Sequence, residues 1–384
     1  MNDNKLRIAR LHASYRSADS GENQSFREEV LALRAAGHTV RSVEYPLNVR
    51  PSTLILSGLG FSQKPSTSVW KTVEDFNPDI IHFDNTLFRL APTALDAARA
   101  SGVPVFLSVR NYRMLGCTAG TFFYKGAHCT KCVVSNSKKP AIIRRCYRNS
   151  YLQSLFAAAS LSLSDFIGFN YIAVSQHMKN MLINVGFPHE KIFVKPNCVR
   201  GGTPGAGNGG FILYLGGTSR PEKGHAILDA AWDKSWAKDT LRLTCAINFS
   251  HNEVLDLLGR AAALVVPSTW QEPFGRVVIE AFSRGTPVIA SRVGGLRELI
   301  QDGTNGLLFR NNDPDDLARK LNIFVDNRKS WPEFRRNAFD SWAKYFRPED
   351  NAARLTQIYK SVLYPNQSQP VAPPQLRLVS GARR

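Results

Sequence analysis

The chain has 384 residues, of which 43% are hydrophobic, and this is enough apolar material for two ordinary globular cores. No segment approaches the roughly 20 uninterrupted apolar residues that a membrane-spanning helix needs, so we expect none. The net charge is +18, from 49 Lys and Arg against 31 Asp and Glu. Such an excess predicts an affinity for anionic partners, which could be nucleic acid, an anionic lipid leaflet or diphosphate ligands.

The basic residues are dispersed in small groups such as Lys138-Lys139, Arg144-Arg145 and Arg383-Arg384. Because no basic run alternates with aromatic residues, we expect no nucleic acid partner and favour loose association with an anionic membrane. A merely basic soluble protein is the alternative. The N-terminus lacks the apolar core of a signal peptide, which predicts a cytoplasmic location, at the inner face of the membrane if lipids attract the chain.

The first half of the chain alternates strands and helices, which predicts a parallel α/β sheet. After the first strand, Ser20-Gly21-Glu22-Asn23 is interpreted as a glycine turn that leads into a helix. The predicted strands cover 6–11, 39–45, 80–83, 103–109 and 171–174, and the predicted helices cover 24–36, 91–100 and 151–166.

A glycine-rich stretch at 201–210 has the composition of a flexible linker and separates the two halves. Beyond it the same alternation returns, which predicts a second parallel sheet. Strands are expected at 211–215, 241–249 and 263–267, and helices at 276–284, 315–325, 331–346 and 348–363, before a proline-containing tail from 364 that we expect to be disordered.

Two carboxylates, Glu272 and Glu280, lie eight residues apart around a predicted strand-to-helix turn. The amides after Gly275 would point from the helix N-terminus at the carboxyl end of the sheet, where open α/β sheets hold phosphates. Glu280 could then accept hydrogen bonds from a ribose, and Glu272 could reach a second hydroxylated group. The alternative is that Glu272 caps the helix and Glu280 is a solvated surface charge.

A second glycine turn, from Gly216 to Gly224, carries two cations into the next helix. Glycines let a ligand approach the backbone, and a cation there neutralises phosphate charge. Lys223 is the preferred phosphate-binding cation, and Arg220 is a second candidate.

The stretch from Trp270 to Phe309 resembles the nucleotide-sugar-binding core of the retaining glycosyltransferases of family 4, many of which build bacterial exopolysaccharides and cell-surface glycans. The shared features are the two glutamates, the Glu-Pro-Phe-Gly turn and the trailing Asn-Gly-Leu-Leu-Phe. The resemblance implies the GT-B fold, in which two Rossmann-like domains face each other across a cleft. It also implies that Glu272 binds the donor sugar, the amides near Phe274 and Gly275 its diphosphate, and Glu280 its ribose.

The first half adds to this resemblance, which then covers roughly 6–359. Gly21 and Glu22 correspond to a turn that faces the leaving diphosphate, and Gly217 and Thr218 belong to the donor-binding glycine turn. The implied division is an N-terminal acceptor-side domain at 1–197, a nucleotide-sugar domain at 198–346, a crossover helix at 347–363 that returns to the first domain, and a tail at 364–384.

Three features depart from the family pattern. Thr218 stands where relatives have an arginine, and Arg110 stands where they have a histidine beside the donor sugar, a position that suggests a phosphate-directed role or reduced activity. The chain between Lys223 and Glu272 is also short, which predicts that the second domain lacks one βα unit.

Four cysteines, Cys117, Cys129, Cys132 and Cys146, could close a tetrahedral structural zinc site. Reduced or disulfide-forming cysteines are the alternative, because spacing alone does not decide between them.

The leading hypothesis is the retaining transfer of a hexose from a nucleoside-diphosphate sugar to a glycan or lipid-linked acceptor, with no metal required for the chemistry. Lys223, Arg220 and helix amides would stabilise the leaving diphosphate, and Glu272 would position the sugar. A catalytically degenerate scaffold that binds nucleotide sugars or glycans is the alternative. A zinc-bearing nucleic-acid binder is a third hypothesis, resting on charge and cysteines alone.

Overall fold

The computed structural model describes residues 5–15, 20–47, 50–86, 90, 92–135, 137–160, 164–217, 220–246 and 249–366. These residues fold into two compact units. Unit 1 comprises 5–122, 129–196 and 348–366, and unit 2 comprises 123–128 and 197–347. The chain therefore leaves unit 1 after Pro196 and returns to it at Pro348.

Unit 1 contains a six-stranded parallel sheet. Its strands are β1 (Arg7–Ser14), β2 (Thr39–Pro46), β3 (Ile80–Asn85), β4 (Val105–Val109), β7 (Asn170–Ala173) and β8 (Ile192–Val194), in the order β2-β1-β3-β4-β7-β8. Its helices are α1 (Gly21–Ala35), α2 (Pro51–Gly58), α3 (Lys64–Phe76), α4 (Thr93–Ala100), α5 (Lys131–Val134), α6 (Lys139–Ile143), α7 (Tyr151–Ala159), α8 (Gln176–Asn184) and α15 (Pro348–Leu363).

Unit 2 contains a five-stranded parallel sheet and a short antiparallel hairpin. The hairpin joins β5 (Phe123–Tyr124) and β6 (Ala127–His128), and the sheet has the order β10-β9-β11-β12-β13, formed by β9 (Phe211–Tyr214), β10 (Arg242–Cys245), β11 (Ala263–Val266), β12 (Val288–Ser291) and β13 (Gly306–Phe309). Its helices are α9 (His225–Lys234), α10 (His251–Arg260), α11 (Arg276–Phe282), α12 (Leu296–Leu299), α13 (Pro314–Asp326) and α14 (Trp331–Tyr345).

Each unit has its own apolar core. In unit 1, Phe26 of α1 and Leu355 and Tyr359 of α15 belong to one buried cluster against the sheet. In unit 2, β-branched residues such as Val265 and Ile289 pack with Leu321 of α13. The strands read as near-continuous apolar runs because both faces of a parallel sheet are covered.

Both sheets reverse their strand order at one place. In unit 2 the chain runs from β9 out to the edge strand β10 and then back past β9 to β11. Unit 1 has the equivalent reversal between β1 and β3. Ligands of open α/β sheets bind at such a reversal, beyond the carboxyl ends of the two strands.

The predicted fold class of two parallel α/β sheets is confirmed, and several local predictions are corrected. Gly21 is the first residue of α1 and not part of a turn, because the Ser20 hydroxyl caps the helix by accepting from the Asn23 amide at 3.3 Å. The helix predicted over 151–166 ends at Ala159, residues 161–163 lie outside the described ranges, and a single 3-10 turn follows.

Further differences concern the ends and the count of elements. Residues 123–128 group with unit 2, although the sequence analysis placed them in the first domain. Only β10 lies between α9 and α10 in the described chain, so the second sheet has one strand fewer than the first. Of the predicted tail, 367–384 lie outside the described residues. Within the described ranges, no helix combines the length and the apolar character that a bilayer span requires.

Candidate functional site

The central contact of unit 2 is an ion pair between Lys223 and Glu272. The ammonium of Lys223 lies 3.2 and 3.1 Å from the two carboxylate oxygens of Glu272. It also lies over the Trp270 ring, 5.3 Å from the ring centre, and the Ser268 hydroxyl donates to Glu272 at 3.2 Å. Because Lys223 follows β9 and Glu272 follows β11, the pair stands at the reversal of strand order.

Close backbone packing holds both partners in place. Lys223 ends a single 3-10 turn, and a Cβ at the next residue, Gly224, would lie 1.8 Å from the carbonyl oxygen of Pro267. A Cβ at Gly294 would lie 2.2 Å from the carbonyl oxygen of Glu272, which also accepts from the Gly295 amide at 2.7 Å. Only glycine permits these approaches, so the loops after β9, β11 and β12 fit together without free space.

Glu280 lies one turn into α11 and is 8% exposed. Its carboxylate accepts from the Arg276 guanidinium at 2.9 Å, and that guanidinium also donates to the Cys198 carbonyl at 3.2 Å. The residue that caps α11 is Gly275, and no side chain supplies a capping hydrogen bond. The alternative interpretation, that Glu272 caps this helix and Glu280 is solvated, is therefore wrong.

The other predicted residues of unit 2 are spread around this pair. Arg220 pairs with Glu222 at 2.8 Å, and about half of the Arg220 side chain is exposed. The carbonyl of Gly217 accepts from the Tyr214 hydroxyl at 3.1 Å. Phe274 is buried. Thr218 lies outside the described residues.

In unit 1, Gly21 and Glu22 form the first turn of α1. One carboxylate oxygen of Glu22 accepts from the Asn111 side-chain amide at 2.9 Å. Nearby, the His12 ring contacts the Asn23 side chain at 2.8 Å and stacks on Phe26. Burial lowers the pKa of His12, so it is neutral at pH 7. These contacts join the start of α1 to β1 and to the segment that follows β4.

A cluster of five buried charged side chains lies beneath the carboxyl ends of β1, β3 and β4. Asp84 accepts from Arg10 at 2.7 Å and from Arg110 at 2.9 Å. Glu29 accepts from Lys195 at 2.5 Å, from Arg10 at 3.0 Å and from Arg110 at 3.0 Å. Three cations thus neutralise two carboxylates, and every one of the five side chains is at most 5% exposed.

The cluster shifts the pKa of its members. Burial raises the pKa of Glu29, but Arg110, Lys195 and Arg10 outweigh it and hold that pKa well below its usual value. Burial also opposes ionisation of Asp84, and Arg10 is the main cause that lowers its pKa nonetheless. His82 contacts Ser108 at 2.9 Å and Tyr359 at 2.5 Å, and burial lowers its pKa to about 3. His82 is therefore neutral.

None of the six cysteines forms a disulfide bond. Burial, together with the neighbouring thiols Cys132, Cys117 and Cys129, raises the pKa of Cys146 to about 11, so the four lie in one region. The Phe122 amide donates to the Cys117 sulfur at 3.2 Å, as amides do to metal-bound thiolates. Yet among the described residues no group of three or more His, Cys, Asp or Glu side chains is arranged to hold a metal ion.

Sequence reasoning missed the partners that fix the candidate residues. Ser268 and Trp270, which contact Glu272 and Lys223, were assigned no role in the sequence analysis. The buried charged cluster did have a sequence signal, because Arg10 and Asp84 are charged residues inside strands that are predicted to be buried. Such residues are almost never buried unless they are paired.

Solved structures with the same architecture are glycosyltransferases, which identifies the two α/β units as a GT-B fold. Anabaena HepE in complex with UDP and glucose is 15% identical with a TM-score of 0.65, over 93% of this chain and 100% of that one. Sucrose-phosphate synthase from Thermosynechococcus elongatus is 17% identical with a TM-score of 0.66, over 93% and 99%. At these identities the likeness establishes the fold alone.

Sequence comparison matches part of unit 2. Residues 237–341 match the family described as glycosyl transferases group 1. A D-inositol 3-phosphate glycosyltransferase from Streptosporangium roseum is 38% identical over 112 residues, which is 29% of this chain and 25% of that protein. An uncharacterized glycosyltransferase from Methanocaldococcus jannaschii is 44% identical over 80 residues, 21% of this chain and 22% of that protein. The chain thus matches about a quarter of the length of these curated relatives.

Proposed function

We propose that the chain is a retaining glycosyltransferase that moves a hexose from a nucleoside-diphosphate sugar to a glycan or lipid-linked acceptor in the biosynthesis of a cell-surface polysaccharide. The observation that carries the proposal is the Lys223–Glu272 pair at the strand-order reversal of unit 2. Glu272 lies inside the segment that matches the glycosyltransferase family. The retaining outcome, the hexose and the pathway come from the family resemblance.

In this proposal the pair opens when the donor binds. The Lys223 ammonium turns from Glu272 to the diphosphate, where it stabilises the negative charge that develops on the leaving group. The freed Glu272 carboxylate accepts hydrogen bonds from sugar hydroxyls, and Ser268 keeps it oriented. Because each charge is already paired without ligand, neither is left uncompensated at a partly buried site.

The other predicted residues support the donor around this pair. Glu280, held by Arg276, would accept from the ribose, and the backbone near Phe274 and Gly275 would face the diphosphate. Gly21, Glu22, Gly217 and Thr218 stay predicted donor contacts. Arg220 would have to leave Glu222 to reach phosphate, so its contribution is expected to be small.

The test is a thermal-shift panel of UDP, GDP, ADP and their glucose conjugates on the wild-type chain and on Lys223→Ala. The matched control is Lys234→Ala, which also removes one lysine and one ion pair, to Asp315 at 2.6 Å, on the exposed side of α9. We expect one nucleotide to raise the melting temperature of wild type and control but not of Lys223→Ala. No shift with any nucleotide or conjugate would contradict the donor site and favour a degenerate scaffold that binds glycans.

Contact with an anionic membrane is a second part of the proposal. Apolar side chains are exposed on three neighbouring helices of unit 1: Ile55 and Leu56 on α2, Ile143 on α6, and Leu152 and Leu155 on α7. Cations adjoin them at Arg144, Arg145 and Arg148. Apolar and basic residues together favour adsorption to anionic lipid over simple solvation.

Vesicle sedimentation tests this contact. The chain should pellet with phosphatidylcholine vesicles that contain phosphatidylglycerol and stay in solution with phosphatidylcholine alone. Leu152→Ser should weaken the binding, because 79% of this side chain is exposed and little packing is lost. Equal pelleting with both vesicle types would contradict the electrostatic part of the argument.

No metal takes part in the proposed chemistry. A structural zinc held by Cys117, Cys129, Cys132 and Cys146 stays a proposal, supported by their proximity and by the amide that donates to Cys117. It would order the loop between β4 and α7.

A further inference from the structure

Arg110 uses only part of its hydrogen-bonding capacity within unit 1. Its Nη2 atom donates to Glu29 at 3.0 Å and to Asp84 at 2.9 Å. Its Nε and Nη1 atoms are buried and have no hydrogen-bond partner, and only 5% of the side chain is exposed. Buried N–H groups of a charged side chain are rarely left unsatisfied, so these two groups indicate a missing acceptor.

The acceptor has a place to bind. Residues at the carboxyl ends of β3 and β4, and in the segments that follow them, line a cavity of about 30 Å³, roughly twice the volume that one water needs. Asp84, Ser108, Arg110 and Arg113 all line it. Arg113 donates to the Tyr15 hydroxyl at 3.0 Å through Nη1, and its Nε atom is also buried without a partner. Two guanidinium groups thus bring unsatisfied donors to one cavity.

The charge of the surroundings selects an anion. Among the described residues, Arg10, Arg110 and Lys195 pair with two carboxylates, Glu29 and Asp84, so this buried cluster carries one excess positive charge. Both carboxylates are already saturated by cations, and Asp84 accepts from Ser108 as well. A monoanion would satisfy the free donors and neutralise the cluster.

We infer that this cavity binds the carboxylate of an acidic sugar, and that Arg110 is the residue that selects it. A carboxylate carries one negative charge on two oxygens, which fits the excess charge and the volume of the cavity. A phosphate carries up to two negative charges and has more oxygens than a carboxylate. It therefore exceeds both the excess charge of the cluster and the volume of the cavity. The inference rests on the proposed function in so far as it names the class of sugar that the same enzyme handles.

The experiment compares methyl β-D-glucuronide with methyl β-D-glucoside by calorimetric titration into the wild-type chain. The two probes differ only in the carboxylate. Charge-assisted hydrogen bonds are strong enough that we expect the glucuronide to bind at least roughly 10-fold more tightly. A second titration compares UDP-glucuronate with UDP-glucose and shows whether the acidic sugar belongs to the donor. If it does, the preference appears with the nucleotide conjugates and not with the free glycosides.

Arg110→Gln should abolish the preference for the acidic sugar, whereas Arg99→Gln should keep it. Arg99 is an exposed arginine of unit 1 that pairs with Asp96, so the control makes the same charge change outside the cavity. If Arg110→Gln does not fold, the wild-type comparison alone decides the question. Equal affinity for acidic and neutral probes in both arms, with nucleotide binding intact, would overturn the inference and leave the proposed function standing. A preference for the carboxylate probes without a thermal shift from any nucleotide would support the inference and overturn the proposed function.

Discussion

Replacing Gly294 by alanine should inactivate the donor site by displacing Glu272. The added Cβ would lie 2.2 Å from the carbonyl oxygen and 2.8 Å from the amide nitrogen of Glu272, whereas Cβ atoms essentially never approach another atom within 3.0 Å. To lengthen the 2.2 Å contact to 3.0 Å, the backbone of Glu272 would have to move by about 0.8 Å. A displacement of about 1 Å at a substrate-positioning residue costs on the order of 100-fold in rate.

Gly303→Ala is the matched control. Both glycines have positive φ, +44° at Gly294 and +78° at Gly303, but a Cβ at Gly303 would meet nothing within 4 Å. Each variant should lose roughly 1–2 kcal/mol of stability from the left-handed backbone, and melting temperatures should fall by about 2–8 °C in both. Only Gly294→Ala carries the additional displacement of Glu272.

The assay is hydrolysis of the donor nucleotide sugar without acceptor, using the nucleotide that the thermal-shift panel selects. We expect Gly294→Ala to be about 100-fold slower than Gly303→Ala when both are folded. Equal rates in the two variants would refute the assignment of Glu272 as a positioning residue. A loss of activity that merely follows the fraction of folded protein would refute it as well.

Three further predictions concern side chains of unit 1. In the folded chain His82 has a pKa of about 3 and stays neutral, whereas in the unfolded chain it takes up a proton near pH 6.5. The free energy of unfolding should therefore fall by about 2 kcal/mol between pH 6.5 and 5. Urea titrations of wild type and His82→Gln should show a smaller fall in the variant. Lys195→Met removes a buried partner of Glu29 and should cost about 3–5 kcal/mol of unfolding free energy, against at most about 1 kcal/mol for the exposed pair lost in Lys234→Met. Elemental analysis of the purified chain should find one zinc per molecule if the four thiols bind it, and Cys132→Ser should lose that zinc; a metal-free wild type that unfolds at the same temperature with and without chelator would disprove the site.

The parallel sheets could be predicted because each strand is a short apolar run within the sequence. The run from Ala263 to Val266 is apolar and ends at a proline, and the observed strand has those bounds. The Gly21 turn failed because capping by Ser20 outweighs the low helix propensity of glycine, which costs little at the first helical position. The helices α2 and α3 went unpredicted because α2 is short and both lack a strong polar start signal.

The candidate site could be predicted in outline but not in its contacts. Glycine turns and spaced glutamates announce a ligand site, since few structural needs produce that combination. The pairing of Lys223 with Glu272 joins residues 49 positions apart and depends on which strands become neighbours. The five-member charged cluster depends still more on tertiary structure, because Lys195 and Glu29 are 166 positions apart.

The return of α15 to unit 1 sets an order on how the chain can mature during synthesis. Leu355, Ile358 and Tyr359 are fully buried in the first unit's core, and Asn351 donates to the Pro196 carbonyl at 2.6 Å. A nascent chain that has just delivered Pro196 to the ribosome exit still lacks these side chains, and about 150 residues must follow before they appear. At ordinary elongation rates that interval lasts roughly 8–30 s. Unit 1 therefore stays incomplete, with apolar surface uncovered, until all of residues 197–347 of unit 2 have been synthesised.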